Sequence, residues 1–560
     1  MTLQAPTRRL ARALRALACA LTYCATLPGV SHAAEGAAAI PHLRQQGSAT
    51  QLIVDDRPFL VLGGELHNSS ASHLPYLQRL WPALKKAELN TVLAPVQWDQ
   101  VEPEEGRYDF SVVEGMLKQA HANDTRLILL WFGAWKNSMS TYAPPYVKRD
   151  TKRFPRAVNR AGAAQEILTP FGVHTRERDT AAFRALLAYL RQADRHRTVI
   201  MVQVENEIGM LPDVRDYGPL AGAALAGQAP ARLLDYMQAN RATLHPSLLA
   251  LWTAAGQRPR GTWAEIIGTS TAAEEVFQAW EYAAFVETMA AAGKAAYPLP
   301  LYVNAALNRP GKKPGDYPSA GPLPHLFDVW KAAAPSLDLL AIDTYFPNFT
   351  DWAPQFKRHD NPLFVPEADN AGRHDAAAKA LYAIGEHDAF GFSPFGIEDS
   401  TGTGDDTLPA AYRLLRQLAP VINQHQGSGS MRGFKVRVSY DGVVDATPQQ
   451  ATMGGYTLQV AFSNPWARSD SKELEACGGL VIRLADDEFL VAGKGLTVTF
   501  RDASGAGDAV GLEQVTEGTY DNGRWVPGRW LNGDEIHQGR QVMLVTGGFT
   551  AQRVKLYRYR

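Results

Sequence analysis

Two glutamates stand just behind apolar runs of the chain and have the chemistry of an acid and a nucleophile. Glu207 comes shortly after the run 198–204, and Glu367 comes shortly after the run 363–365. A protonated carboxyl group can donate a proton to a leaving oxygen, while an ionised one can attack carbon or activate water. Such a pair is the minimum that hydrolysis of a glycosidic bond requires. When two carboxyl groups are held close together, the pKa of one rises, because each resists a second negative charge nearby.

The elements that would position this pair are eight short apolar runs, which alternate with helical segments between about Thr50 and Leu418. Near-continuous apolar strands are typical of a parallel sheet that is buried on both faces. Eight strand–helix units predict a (β/α)8 TIM barrel, in which residues at the carboxyl ends of the strands form the active site. A doubly wound open sheet is the alternative, although no glycine-rich nucleotide loop supports it. The runs are 59–62, 91–96, 126–130, 198–204, 301–303, 337–342, 363–365 and 391–395.

The segments between these runs have the spacing of amphipathic helices. Leu77, Trp81 and Leu84 recur at helical intervals and predict a helix with one buried face. Asp179 is a candidate N-cap for a second helix, which carries Phe183.

The texture of the sequence changes behind the last of these helices. Phe434, Val436 and Val438 alternate with basic residues, and Asn522-Gly523 is a hairpin signal. We therefore expect an α/β protein with a (β/α)8 barrel, followed by a C-terminal antiparallel β-sandwich domain. The predicted boundaries are residues 34–425 for the barrel, with a helical insertion around 210–296, and residues 431–560 for the β-domain.

The first 33 residues have the pattern of a secretory signal peptide. Four arginines precede an apolar stretch that is too short to span a bilayer, and Ala33 ends a small-residue cleavage pattern. Cleavage there would remove Cys19 and Cys24 and leave Cys477 as the single thiol, so that no internal disulfide could form. The expected location is outside the cytoplasm, either periplasmic or secreted.

The composition excludes several classes of partner and cofactor. The formal net charge is -1, which gives no general attraction to nucleic acid or to an acidic membrane surface. His67 and His73 have no partners at metal-ligand spacing, so we expect neither a metal nor an organic cofactor. The expected partner is a carbohydrate substrate, with no membrane span, and nothing in the sequence indicates an oligomeric state.

Several strings of the barrel resemble a clan of glycoside hydrolases, the β-galactosidases of families 35 and 42. Residues 202–209, Val-Gln-Val-Glu-Asn-Glu-Ile-Gly, are similar to the family-35 acid/base segment. The resemblance implies that Glu207 is the acid/base, that Asn206 binds the sugar's 2-hydroxyl group, and that Glu367 is the nucleophile of a retaining mechanism. It also implies that Tyr345 holds the nucleophile by a hydrogen bond. Further matching strings are 62–67, 90–92, 98–110 and 343–345.

The chain departs from the family pattern after the third strand. Residues 131–137 lack the glutamate that grips the sugar in family 35, although Asn137 could donate to a hydroxyl group. Glu65 is interpreted either as a sugar contact or as support for the residues around it. Trp98, with Trp131 and Trp135, could form a wall on which the apolar face of a sugar stacks.

The resemblance therefore implies a retaining exo-β-galactosidase that acts on terminal β-galactosyl residues. Because the strand-three residues differ, another β-glycosidase of the clan, such as a β-glucosidase or an arabinose-releasing enzyme, remains open. A non-catalytic exported carbohydrate-binding protein is the third hypothesis.

Overall fold

A computed structural model of the chain describes residues 1–2, 39–369, 372–402, 406–462, 470–505, 507–545 and 547–560. Residues 39–560 form one compact unit. The predicted signal peptide, apart from its first two residues, lies outside the described part of the chain. Among the described residues, no helix combines the length and the apolar character that crossing a bilayer requires.

Among the described residues, thirteen strands make up the first part of the fold, and eight of them close into a barrel. β1–β3 form a small antiparallel sheet, and β7 pairs with β8 in a separate hairpin. The strands are β1 His42–Gln46, β2 Ala49–Val54, β3 Arg57–Phe59, β4 Val61–Glu65, β5 Thr91–Gln97, β6 Arg126–Lys136, β7 Arg156–Val158, β8 Ala164–Leu168, β9 Val199–Asn206, β10 Leu301–Ala306, β11 Leu339–Thr344, β12 Val365–Ala368 and β13 Gly391–Pro394.

The barrel consists of β4, β5, β6, β9, β10, β11, β12 and β13 in chain order, and every neighbouring pair is parallel. β13 pairs with β4 and closes the ring, which confirms the predicted barrel and excludes the open sheet. Closure brings other side chains against the backbone of β4. At Gly64, for example, an added Cβ would lie 2.5 Å from Cγ1 of Ile397.

Helices surround the barrel, and Leu77, Trp81 and Leu84 are buried on the first of them, as their spacing predicts. The prediction that Asp179 is an N-cap is wrong, because its helix already begins at Val173 and Asp179 is buried inside it. The helices are α1 Leu74–Lys86, α2 Trp98–Val101, α3 Ser111–Ala122, α4 Pro145–Arg149, α5 Val173–Ala193, α6 Pro219–Leu225, α7 Ala231–Ala239, α8 Pro246–Ala254, α9 Trp263–Ile267, α10 Thr271–Ala296, α11 Phe327–Ala333, α12 Phe349–Phe356, α13 Ala376–His387 and α14 Thr407–His425. Five of them, α6–α10, lie between β9 and β10.

The C-terminal part is antiparallel, as predicted. Its main sheets have the orders β14-β19-β20-β25-β22-β23 and β17-β18-β21-β24, and side chains of both sheets share one apolar core. The elements are β14 Met431–Lys435, β15 Arg437–Val438, β16 Val444–Asp445, β17 Gln449–Met453, β18 Tyr456–Phe462, α15 Ser471–Glu475, β19 Gly478–Ala485, β20 Glu488–Lys494, β21 Leu496–Asp502, β22 Ala509–Asp521, β23 Arg524–Trp530, β24 Val542–Met543 and β25 Thr550–Tyr559.

The β-domain packs directly on α13, the helix that follows barrel strand β12. Leu480 and Ile482 of β19 belong to the apolar core of the barrel. A buried chain of charges crosses the same contact. Lys379 Nζ on α13 lies 3.2 Å from Asp375 Oδ2, and Lys435 Nζ of β14 lies 3.6 Å from that same oxygen.

Candidate active site

Three buried carboxyl groups meet at the carboxyl end of the barrel. Glu207 follows β9, Asp343 lies near the end of β11, and Glu367 lies on β12, where it is the register partner of Asp343. One oxygen of each carboxyl group lies within 4.8 Å of an oxygen of the other two. The three residues are only 6%, 1% and 3% exposed, respectively. The two glutamates predicted from the ends of separate apolar runs therefore lie in one cluster of carboxyl groups, together with an aspartate.

Glu207 is held at both its backbone and its side chain. Its backbone N–H donates to Asn304 Oδ1 at 3.0 Å, and Asn137 Nδ2 donates to its Oε2 at 2.7 Å. Its φ of +46° is in the left-handed region, which non-glycine residues occupy at a cost, typically at functional sites. Burial first, and then the negative charge of Glu367, raise the pKa of Glu207 to about 7, while Lys136 acts in the opposite direction. Glu207 is thus suited to carry a proton near neutral pH.

Glu367 has one oxygen held and one free. The hydroxyl of Tyr345 donates to Glu367 Oε1, whereas Oε2 is buried and has no hydrogen-bond partner among the described residues. Burial and the charge of Glu367 raise the pKa of Tyr345, so that its hydroxyl remains a proton donor. A carboxylate fixed through one oxygen presents the other to an electrophilic carbon.

Glu65 and Asn206 also lie in the cavity. Glu65 is 1% exposed at the end of β4, and burial, followed by the charge of Glu367, raises its pKa well above the usual value. Glu65 Oε1 and Asn206 Nδ2 are both buried without a partner among the described residues. An acceptor and a donor are therefore available for sugar hydroxyl groups.

Lys136, Asn304 and Asp343 belong to the site and were missed from the sequence. Lys136 Nζ donates to Asn206 Oδ1 at 2.6 Å, and Asn304 Nδ2 donates to Asp343 Oδ2 at 2.5 Å. All three sit at or next to the carboxyl ends of barrel strands. Position at a strand end was therefore the signal that could have found them.

The interpretation of Trp98 as a sugar-stacking wall is wrong. Trp98 is 0% exposed within the core, and its Nε1 donates to Glu102 Oε2 at 2.9 Å. Trp131 and Trp135 are also fully buried and donate to Asp179 and to the Leu168 carbonyl oxygen, respectively. None of these rings has a face free for a ligand, because apolar packing uses both.

A second pair of buried acidic residues, Glu205 and Asp179, binds the end of β6 next to the site. Glu205 accepts hydrogen bonds from the backbone N–H groups of residues 133–135, and Asp179 accepts from Ala134 N and Trp131 Nε1. Burial raises the pKa of Asp179 to about 6 and raises that of Glu205 further above its usual range. The two carboxyl groups together bind the backbone at the end of β6, and Asp179 does so from inside α5 rather than as a helix cap.

The three central carboxylates could offer oxygen ligands to a cation. Each, however, already has an oxygen in contact with a donor of the protein, which is Asn137 for Glu207, Asn304 for Asp343 and Tyr345 for Glu367. Lys136 contributes positive charge beside them and offsets part of the rise that burial causes in the pKa of Glu207 and Asp343. Hydrogen-bond donors and a positive charge of the protein itself thus already stabilise the carboxyl groups that a cation would otherwise bind.

Two family models match the chain. Residues 77–227 match the family-42 glycosyl hydrolase model, described as β-galactosidase, and residues 408–543 match a domain of unknown function. A curated β-galactosidase from Xanthomonas manihotis is 28% identical over 180 residues, which is 30% of this chain and 27% of that protein. The chain therefore spans about a quarter of the length of this relative.

Solved β-galactosidases resemble the chain at low identity. One from Rahnella sp. R3 is 17% identical, with 68% of this chain and 57% of that chain covered and a TM-score of 0.43. A family-42 β-galactosidase from G. stearothermophilus, solved as a catalytic mutant, is 12% identical, with 89% and 98% covered and a TM-score of 0.47. The chain therefore folds as a closed (β/α)8 barrel followed by antiparallel sheets, and residues 77–227 within the barrel are similar to the family-42 β-galactosidase model.

Proposed function

We propose that the protein is a retaining exo-β-galactosidase that releases terminal β-galactosyl residues from oligo- or polysaccharides, such as side chains of the plant cell wall. The distance between Glu207 and Glu367 carries the proposal, since oxygens of the two carboxyl groups lie within 4.8 Å. Retaining glycosidases hold their carboxyl groups about 5–5.5 Å apart, whereas inverting ones leave about 6.5–9.5 Å for a water molecule.

The two carboxyl groups have different environments, and these set their roles. Glu207, whose pKa is raised to about 7, protonates the glycosidic oxygen as the bond to the anomeric carbon breaks. Glu367 attacks that carbon through the oxygen that Tyr345 does not hold, and a glycosyl ester forms. Glu207, now ionised, deprotonates a water molecule that attacks the same carbon and releases Glu367. Two inversions leave the β configuration unchanged.

The family match at residues 77–227 supports galactose as the sugar. Lys136 and Asn137 occupy the end of β6, where family 35 carries a glutamate that grips the sugar, and this difference keeps another β-glycosidase as the second candidate. A panel of nitrophenyl β-galactoside, β-glucoside and α-arabinoside separates the two candidates. Hydrolysis of the β-galactoside with the highest kcat/KM supports the proposal, and preference for a different sugar supports the second candidate.

Variants of the two glutamates test the mechanism. We expect E367Q to lose turnover by a factor of at least about 10³, with an unchanged thermal unfolding midpoint. Azide added to E367A should yield the α-glycosyl azide, whereas azide added to E207A should yield the β-glycosyl azide, because only in E207A does the covalent intermediate form first. E114Q, at an exposed glutamate of α3, is the matched control. Full activity of pure E367Q would contradict the assignment.

We further propose that the protein is exported, on the strength of the arginine-rich, apolar and small-residue pattern of its first 33 residues. Expression in a bacterium with two membranes, followed by N-terminal sequencing of the periplasmic protein, tests this. A new N-terminus at residue 34 supports export, and an uncleaved cytoplasmic protein contradicts it.

A further inference from the structure

Lys136 is a buried lysine that neither the family pattern nor the proposed double displacement uses. It ends β6, is 3% exposed, and is the register partner of Asn206 on β9, beyond an irregularity in the pairing of the two strands. Its ammonium nitrogen donates to Asn206 Oδ1 at 2.6 Å and lies 4.7 Å from the centre of the Phe132 ring. Its charge is close enough to Glu207 and Asp343 to act on the pKa of both carboxyl groups.

The contact with Lys136 decides which way the amide of Asn206 faces. A lysine ammonium only donates hydrogen bonds, so it can bind the carbonyl oxygen of the amide but not its NH2 group. The NH2 group must therefore face away from Lys136. Its nitrogen is buried without a hydrogen-bond partner among the described residues, and Asn206 directly precedes Glu207. A buried unpaired donor costs free energy until a ligand satisfies it.

The cavity has few other ways to hold this amide. Asn206 directly precedes Glu207, whose carboxyl group clusters with those of Asp343 and Glu367, and Glu65 is buried near both glutamates. An ionised carboxyl group of this cluster attracts the NH2 end of an amide, so without a cation on the carbonyl side the amide would be free to turn toward the cluster. Lys136 opposes that rotation, and its charge stabilises the surrounding carboxylates.

We propose that Lys136 is a positioning residue that locks the Asn206 amide with its NH2 group toward the substrate. The group recognised is the hydroxyl next to the anomeric carbon of a neutral pyranoside, which is the group that the resemblance to family 35 implies for Asn206. This inference rests on the proposed function. Recognition of that hydroxyl would then depend on a lysine of β6, a different strand from that of Asn206. Lys136 lies in residues 131–137, where the chain departs from the family-35 pattern.

Paired substrates test this role. The nitrophenyl β-glycoside preferred in the panel is compared with its 2-deoxy analogue in K136M. We expect kcat on the parent substrate to fall about 100-fold, the order that misplacement of a catalytic-site group costs. On the 2-deoxy substrate, which lacks the hydroxyl, we expect a loss of less than about threefold, since coupled groups are non-additive. The double variant K136M/N206A should be no slower than N206A.

Two further variants distinguish a positioning role of Lys136 from simple unfolding of the K136M protein. K136R keeps a cationic donor and should recover most of the activity on the parent substrate. K136Q keeps a hydrogen-bond donor but removes the charge. Its kcat should fall more on the parent substrate than on the 2-deoxy substrate. This comparison tests the role of Lys136 even if K136M does not fold. K118M, at an exposed lysine of α3, is the control.

The failure of this inference differs from failure of the proposed function. Equal losses on the two substrates, or additive effects of K136M and N206A, would overturn the role of Lys136 alone. If the unsubstituted protein hydrolyses no β-glycoside at all, the proposed function itself falls.

Discussion

Asn137 Nδ2 donates a hydrogen bond of 2.7 Å to Glu207 Oε2 and so joins the turn after β6 to the residue that follows β9. A second bond runs along the same path, since Ser138 Oγ donates to the Glu207 carbonyl oxygen at 2.7 Å. Asn137 and Ser138 both have positive φ angles, of +54° and +58°. A tight turn thus fixes the backbone and the carboxyl group of the acid/base candidate together.

We expect N137A to slow the step that needs a proton. Without the amide, the Glu207 carboxyl group can rotate away from the leaving oxygen, and kcat on substrates with poor leaving groups should fall by about 10–100-fold, a part of what a general acid contributes. Dinitrophenyl glycosides, whose leaving group needs no proton, should lose little in their glycosylation rate. Stopped-flow measurement of both substrates checks this, and equal losses would contradict it.

The pH dependence of kcat/KM should show an alkaline limb close to the pKa of Glu207, about 7. Burial raises this pKa, so the group is protonated and active below that pH, and activity is lost as the pH rises through it. The limb should be absent for a dinitrophenyl glycoside in the same buffers. A limb shared by both substrates would assign the titration to a different group.

Y345F should reduce turnover without disturbing the fold. The variant removes the hydrogen bond to Glu367 Oε1, while the ring, which is 43% exposed, remains in place. We expect kcat to fall by about 10–100-fold, the order attributed to positioning losses, with an unchanged unfolding midpoint. Y76F, at a tyrosine that is 42% exposed, is the matched control. If kcat fell to a similar extent in Y345F and Y76F, Tyr345 would have no specific role in the reaction.

W98F tests the correction at Trp98. The substitution leaves a buried oxygen of Glu102 without the indole donor, and we expect a loss of about 1–3 kcal/mol in the free energy of unfolding. KM for the preferred glycoside should be unchanged, because the ring does not reach the cavity. Chemical denaturation and steady-state kinetics measure both quantities, and a raised KM at unchanged stability would restore the stacking role.

G385A should destabilise the protein although alanine favours helices. A Cβ at Gly385 on α13 would lie 2.8 Å from Leu480 Cβ and 2.9 Å from Gly433 Cα, both in the β-domain. We expect an overpacking loss of about 1–3 kcal/mol. In the control G222A on α6, an added Cβ meets nothing within 4 Å. There we expect a gain of about 0.5–1 kcal/mol from helix propensity. A stabilised G385A would show that the two parts separate readily.

The sequence predicts the pair of glutamates because apolar runs identify parallel strands and the ends of such strands meet. It does not identify Lys136, because nothing local distinguishes a lysine that binds Asn206, 70 residues away, from one in solvent. Asp179 shows the same limit from the other side. Its local pattern suits a helix cap, but the long-range pairing with Glu205 decides its position. Trp98 looked like a sugar platform because its type fits one, and only packing settles which faces of a ring are covered.

The packing of the β-domain on α13 has a consequence for the heat stability of the candidate site. α13 leaves the strand that bears Glu367 and carries Leu480 and Ile482 of β19 on its outer side. Unfolding of the β-domain would expose the side of α13 on which it packs, next to the strand that bears Glu367. Loss of the proposed activity on heating should therefore accompany melting of the C-terminal sheets. A barrel expressed without these sheets should lose activity as well as stability.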